Sequence, residues 1–350
     1  MALVLAVDGE RWRGHLRGYA EATPGLVPVA KGNGYGFTLG RLARKAAWLG
    51  ADTLAVGTYE ELPEVAGRFP GDLLVLTPWR SFHPAPDASL ERRVVHTVSR
   101  PDDLGGLLAA QPGARFVLEL RTSMRRHGMS AQELWGLGSD GARALRGGRL
   151  EGVALHLPLA AGRHLAEVER LLTDLVAAGL PTRTVWVSHL TAAELTTLRS
   201  SYADLEIRPR IGTDLWLGDR DALRVTATVL DAHPLARGDG FGYRGRTAPR
   251  DGTLLVVSGG TAHGIGLESP KGEAGLKARA AVVARSGLDA MGLTRSPFWV
   301  DGKQRLFAEP PHMQASMLFL PADAAVPEVG DRVDARVRYT ATTFDRVDVG

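Results

Sequence analysis

Short runs of apolar, often β-branched residues recur along the first two thirds of the chain, each followed by turn residues and then by a stretch with helical spacing. They predict strands at Val27 to Ala30, Thr53 to Thr58, Leu73 to Thr77, Val94 to Val98, Phe116 to Leu120, Gly152 to Leu157, Thr184 to Ser188 and Glu206 to Ile211. Segments such as Leu42 to Leu49, Ala131 to Leu145, Leu165 to Ala178 and Ala192 to Ser200 read as the helices between them. Eight strands alternating with helices suggest parallel βα units, and eight is the number that closes a (β/α)8 barrel. An open doubly wound sheet tolerates the same alternation, but no second half-repeat and no phosphate-binding βα turn stands out.

After about Asp221 the texture changes. Helical spacing becomes sparse, and strands are suggested at Arg224 to Leu230, Thr253 to Val257, Ser316 to Phe319 and Arg332 to Tyr339, with Gly, Asp and Pro clusters between them. Ala274 to Ser286 reads as a lone helix within this region. The expectation is an α/β chain in two domains: an N-terminal TIM-like barrel over 1–220 and a mainly antiparallel β domain over 221–350.

Composition narrows the class. Hydrophobic residues make up 44% and charged residues 23% of 350, an ordinary globular balance. With 42 basic against 39 acidic side chains the formal charge is +3, too even for the concentrated basic face of a nucleic-acid binder. Cysteine is absent, which removes disulfides, thiolate metal sites and a cysteine nucleophile. The apolar stretch Ala2 to Val7 meets Asp8 and Glu10 at once and reads as neither a signal peptide nor a membrane span. A cytoplasmic enzyme that binds neither membrane nor nucleic acid is the expectation, with no metal site.

In a barrel the βα loops at the C-terminal ends of the strands gather around one pocket. Lys31 follows the first predicted strand and opens Lys31-Gly-Asn-Gly-Tyr-Gly36, and the other lysines are only Lys45, Lys271, Lys277 and Lys303. Desolvation lowers the pKa of a lysine toward neutrality, giving an amine that forms a Schiff base or removes a proton; guanidinium stays charged. Alone, Lys31 is as well read as a surface lysine in a glycine-rich loop. Its company changes that: Met124 and Arg126 follow strand five, His156 ends strand six, Thr191 follows strand seven and Arg208 ends strand eight. Together they outline a pocket for a small anionic molecule. Gly240-Phe-Gly-Tyr-Arg-Gly245 fits G-x-G-x-x-G but leads into Arg, Pro and Asp instead of a helix, and no P-loop, H-E-x-x-H or G-x-S-x-G occurs.

Val27 to Gly36, Val-Pro-Val-Ala-Lys-Gly-Asn-Gly-Tyr-Gly, resembles the cofactor-lysine signature of the bacterial alanine racemases, whose usual form has alanines at positions 32 and 34. The resemblance runs from about Val7 to about Val337 in matching motif order. It implies fold type III: a pyridoxal 5'-phosphate barrel followed by a β domain, in a head-to-tail homodimer with shared active sites acting on a free amino acid. By position, it implies that Lys31 holds the cofactor covalently and Tyr35 touches its phosphate, with Thr191 where the family has a phosphate-binding serine. Arg208 would face the pyridine nitrogen, and the backbone of Arg210 and Ile211 would help hold the phosphate. Arg126 would meet the phenolic oxygen and the substrate carboxylate. Tyr243 matches the second catalytic base and Met313 the backbone donor to the carboxylate, both given by the partner subunit. A chain from Tyr243 to His156 to Arg208 would support the tyrosine, whose phenol otherwise titrates near pH 10.

The sequence departs from the family around the pocket. The usual Asp-Thr-Gly-Met-Gly-Arg is Arg121-Thr-Ser-Met-Arg-Arg126, Thr261 stands where a tyrosine narrows substrate access, Cys-Met-Asp becomes His312-Met-Gln314, and Asp345 falls where another tyrosine is expected. The reading is an isomerase, an amino-acid racemase whose substrate need not be alanine. The alternatives are a decarboxylase or aldolase using the same cofactor, and a catalytically silent homologue.

Overall fold

The computed structural model describes residues 2–139, 145–159, 162–267 and 294–350. The N-terminal apolar stretch forms strand β1 (Leu3–Val7). The eight expected strands follow as β2 (Val27–Ala30), β3 (Thr53–Val56), β4 (Asp72–Pro78), β5 (Val94–Val98), β6 (Arg115–Leu120), β7 (Arg149–His156), β8 (Thr184–Ser188) and β9 (Glu206–Ile211). They pair in parallel in that order and close into a barrel, β9 returning to β2 with Val27 opposite Arg210 and Pro28 opposite Ile211.

The closed ring explains why these strands read as continuous apolar runs: both faces are covered. Val27, Val29, Ala55, Leu74, Val95, Val117, Ala154 and Trp186 fill the interior. The opposite faces, with Leu118, Val153, Leu155 and Val187, pack on Leu134, Leu171, Leu172, Leu195 and Leu198 of the helices Ala131–Ser139, His164–Ala178 and Ala192–Ser201. Each such side chain contributes about 1.5–3 kcal/mol by leaving water.

The chain divides into two compact units, Arg13–Gly218 and Met1–Trp12 together with Asp219–Gly350. The expected division at residue 220 is therefore corrected at its start, because β1 leaves the barrel unit. It lies antiparallel to β10 (Leu223–Leu235) and parallel to β18 (Arg346–Val349).

The remaining strands of the second unit are β11 (Gly240–Phe241), β12 (Arg246–Thr247), β13 (Gly252–Ser258), β14 (Arg295–Val300), β15 (Lys303–Leu306), β16 (Ala315–Pro321) and β17 (Arg332–Ala335). Their main sheet runs β15-β14-β17-β10-β1-β18, with β13 and β16 branching from β10, and among the described residues β11 pairs only with β12. Every pairing but β1 with β18 is antiparallel. The strand expected over Arg332 to Tyr339 stops at Ala335, and the helix expected over Ala274 to Ser286 lies outside the described residues. Among the described residues no helix is long and apolar enough to cross a membrane.

Candidate active site

Strand alternation decides what the barrel mouth contains. Val29, Val117, Ala154 and Trp186 point inward, so residues two further along the same strands or just past them, Lys31, Glu119, His156 and Ser188, share that face one layer nearer the C-terminal ends. On β9 Arg208 lies opposite Trp186, which places Arg208 in the lower layer and Arg210 in the upper one.

The side chains bear this out. Arg208 pairs with Asp52, the residue before β3, and its guanidinium lies 4.6 Å over the Trp186 ring. It belongs to the N-terminal rim, roughly 7 Å of strand below the mouth. The sequence expectation that Arg208 faces the cofactor ring and continues the chain from His156 is corrected: Arg210 is the arginine in that layer. Arg210 is buried, donates from Nη2 to Leu155 O at 2.9 Å, and leaves its Nε enclosed without a protein partner. Burial pushes its pKa down to about 10, with Glu119 opposing and Arg126 assisting.

Lys31 is reachable by solvent at the mouth yet crowded by protein. Desolvation lowers its pKa, Arg126 and Arg210 lower it further, and Glu61 works against them. Glu61 ties the loops after β2 and β3 together, accepting from Gly32 N at 2.7 Å and from Gly57 N at 2.6 Å.

His156 ends β7. It shares a 2.8 Å hydrogen bond between Nδ1 and Ser188 Oγ, and its ring meets the edge of His189 with centroids 5.2 Å apart. Desolvation, followed by Arg210, Arg126, His189 and Lys31, drives its pKa down to about 3, so the imidazole is neutral. His189 holds a left-handed backbone, φ 59°, at the turn after β8. Arg126 is exposed on the loop after β6, which is fastened to the end of β7 by Thr122 Oγ1 donating to His156 O at 2.6 Å. Arg121, by contrast, is turned toward Gly128 O and Glu133.

Tyr35 is buried with a left-handed φ of 55°, and desolvation, Glu61 and Asp214 raise its pKa to about 12. A Cβ at position 212 would fall 2.0 Å from its hydroxyl, so only glycine lets that oxygen lie against the backbone just after β9. Ile211 is buried beside it in the chain. Thr191 caps the helix Ala192–Ser201: its Oγ1 accepts from Glu194 N at 3.2 Å and donates to Glu194 Oε2 at 2.9 Å. A phosphate at this hydroxyl would have to displace the Glu194 carboxylate.

Glu119 was not expected. It is 5% exposed, and one carboxylate oxygen, Oε2, is enclosed with no hydrogen-bond partner. Burial raises its pKa while Arg210, Arg126 and Arg80 act to lower it. Its signal in the sequence was an acid inside the otherwise apolar run Phe116 to Leu120. Ser188, His189 and Glu61 were also unexpected, because polar residues at strand ends and in turns are common outside active sites.

The second unit holds Tyr243 and Met313. Tyr243 is 88% exposed and Met313 72% exposed. Tyr243 lies in the turn between β11 and β12, its ring centroid 4.5 Å from that of His312. Thr261 is exposed, its backbone N donating to His312 O at 2.8 Å. Asp345 accepts from Leu3 N at 2.7 Å and pairs with His263 at 3.0 Å, so it fastens the start of β1. Among the described residues no group of three or more His, Cys, Asp and Glu could hold a metal ion.

Residues 8–216 match the family model described as alanine racemase, N-terminal domain. Alanine racemase of Nitratidesulfovibrio vulgaris is 31% identical over 265 residues, 69% of this chain and 70% of that one. The Salinispora arenicola alanine racemase is 28% identical over 69% of each chain. Solved structures share the fold, among them two alanine racemases. Alanine racemase from Bartonella henselae with covalently bound pyridoxal phosphate has a TM-score of 0.71 at 17% identity, covering 97% of this chain and 91% of that one. The enzyme from D-cycloserine-producing Streptomyces lavendulae gives 0.70 at 19% identity, covering 100% and 97%.

Proposed function

The chain belongs to the alanine racemase family, and on that footing we propose that it is a cytoplasmic, pyridoxal-phosphate-dependent amino-acid racemase working as a homodimer with shared active sites. The observation that carries the reading is the upper barrel layer. It gathers a lysine of lowered pKa, a neutral histidine and a buried arginine whose Nε has no protein partner.

Those residues fit pyridoxal phosphate. Lys31 is the amine to hold it, Arg210 Nε is a donor in want of an acceptor such as a pyridine nitrogen, and the glycine-lined approach of Tyr35 to the backbone after β9 suits a phosphate. Tyr35 and the backbone of Arg210 and Ile211 are the phosphate side of this reading, and Thr191 joins them once the Glu194 carboxylate has left its hydroxyl. When bound, the group supplies an electron sink for the pair left at Cα when its proton departs. The Arg210 guanidinium, facing the pyridine nitrogen, would keep that nitrogen unprotonated and so would restrain decarboxylation and transamination.

Inversion needs a proton removed from one face of Cα and one returned to the other. Lys31 serves one face. Tyr243 of the partner subunit serves the other, and His156, a neutral imidazole in the same barrel layer as Arg210, supports it. Arg126, with the backbone N–H of Met313 of the partner subunit, binds the substrate carboxylate. Thr261 and Gln314 leave the side-chain pocket less restricted than a tyrosine and an acid would, so the substrate is an amino acid not confined to alanine.

The purified protein supplied with pyridoxal phosphate is expected to show a visible absorption band that Lys31→Ala abolishes. In D2O it should exchange the α-proton of a free amino acid with inversion, and Tyr243→Phe should stop inversion while sparing the band. Release of carbon dioxide or an aldehyde without inversion would overturn racemisation in favour of a lyase reaction; a colourless wild type would overturn the cofactor assignment.

A further inference from the structure

Tyr243 is presented by a slight element. β11 and β12 are two residues each and, among the described residues, pair only with one another, and most of the hairpin from Gly240 to Thr247 is exposed. Isolated two-stranded hairpins are marginal in water, so the direction of this tyrosine has to be set from outside.

The outside support is the segment 308–313. Arg246 Nη1 donates to Ala308 O at 3.1 Å. Gly242, at φ 72°, passes so close to Glu309 that a Cβ would lie 2.2 Å from Oε2; any side chain would lift the turn off the carboxylate. Glu309 is 2% exposed, and His312 donates from Nε2 to Glu309 Oε1 at 2.5 Å. A carboxylate acceptor fixes the imidazole tautomer and ring plane, and that ring is the one 4.5 Å from Tyr243.

The platform itself is stiff. Ala308 N donates to Met317 O at 2.8 Å, His312 N to Ala315 O at 2.9 Å, Thr261 N to His312 O at 2.8 Å and Ala262 N to Met313 O at 2.9 Å. Met313, next to His312, is held by the same bonds.

We propose that Glu309 and His312 form a positioning dyad for Tyr243, clamping its ring and tying the hairpin that carries it to the backbone that carries Met313. This rests on the reading of Tyr243 as the second base. The carboxylate holds the imidazole, the imidazole holds the phenol, and the base and the carboxylate-binding N–H then keep one fixed spacing. The dyad acts through Tyr243, as a positioning pair.

The test uses the intact protein loaded with pyridoxal phosphate and three variants, His312→Ala, His312→Phe and Glu309→Gln. His312→Ala is expected to lower kcat for inversion by roughly 10- to 100-fold, the scale set by loss of alignment, with KM for the amino acid within about threefold. His312→Phe keeps a ring under Tyr243 and should recover most of that loss, while Glu309→Gln falls between. Hydrogen–deuterium exchange over 240–247 should speed up in His312→Ala and in Glu309→Gln, with the absorption band unchanged.

Hairpin exchange and inversion within twofold of wild type in both Glu309→Gln and His312→Ala would overturn the dyad. If His312→Ala does not fold, Glu309→Gln carries the comparison, with hairpin exchange and inversion both within twofold of wild type overturning the dyad. A wild type that does not invert any amino acid overturns the racemase reading instead, and the exchange data still judge the clamp by themselves.

Discussion

Glu119 faces Arg210, Arg126 and Arg80, and of these Arg210 is the one fully inside the barrel. A guanidinium there, bonded to a single carbonyl, is a buried charge that the acid across the barrel offsets. Glu119→Gln keeps the shape and removes the charge. It is expected to destabilise the fold by about 3 kcal/mol, the scale for leaving a buried charge unopposed, and to raise KM for the amino acid through Arg126. Urea unfolding at constant m-value measures the first and steady-state kinetics the second; a loss under about 0.5 kcal/mol, within the surface range, would remove the acid from this role. Arg208 and Arg210 show where residue-level reading runs out. Two residues apart on one strand, they point the same way, and a motif that places an arginine near the end of the last strand cannot say which. Height in the barrel decides it, and height comes from register: Trp186 opposite Arg208 sends that arginine down to Asp52.

At the scale of elements, the helix that follows β8 begins on a cap whose contribution can be measured. Thr191 and Glu194 form a reciprocal cap at its first turn, a box whose loss removes partners from two backbone N–H groups. Thr191→Ala is expected to cost about 1 kcal/mol of stability with no cofactor present, and Thr191→Ser to cost little. Thermal unfolding of the cofactor-free protein reads this; equal melting of all three proteins would mean that the cap does not hold the helix. The barrel strands were legible because each is buried on both faces and locally punctuated. The strands β1, β14, β15 and β18 were not. Each is short; β1 and β18 find their partners through distant pairing, as when Leu3 meets Ala227 and Val4 meets Arg346, while β14 and β15 pair with one another across the turn at Asp301 and Gly302. Alternation along four or five residues does not reveal a partner that far away in the chain.

Over the whole molecule, the response to acid follows from histidines folded in the neutral state. His96 is fully buried, its Nδ1 accepting from the Tyr59 hydroxyl at 2.8 Å and its Nε2 donating to Gln111 Oε1 at 3.1 Å, and burial lowers its pKa to about 4. In the unfolded chain the same group titrates near 6.5, so between these values the unfolded state binds the extra proton. Stability is therefore at its full value above about pH 6.5 and falls as the pH drops toward 4, with a limiting slope of about 1.4 kcal/mol per pH unit from His96. His156 acts in the same direction and continues below pH 4, because its pKa lies lower still. Glu119, raised by burial, acts with the opposite sign, and His189 and Asp345 also shift, so the pH curve of the wild type alone mixes several groups. The difference between wild type and His96→Gln isolates one of them: glutamine keeps an amide for both neighbours and does not titrate. Urea unfolding free energies at pH 7 and pH 5 should then diverge less in the variant than in the wild type by about 2 kcal/mol, and equal divergence would mean that His96 stays neutral when unfolded or charges without cost when folded.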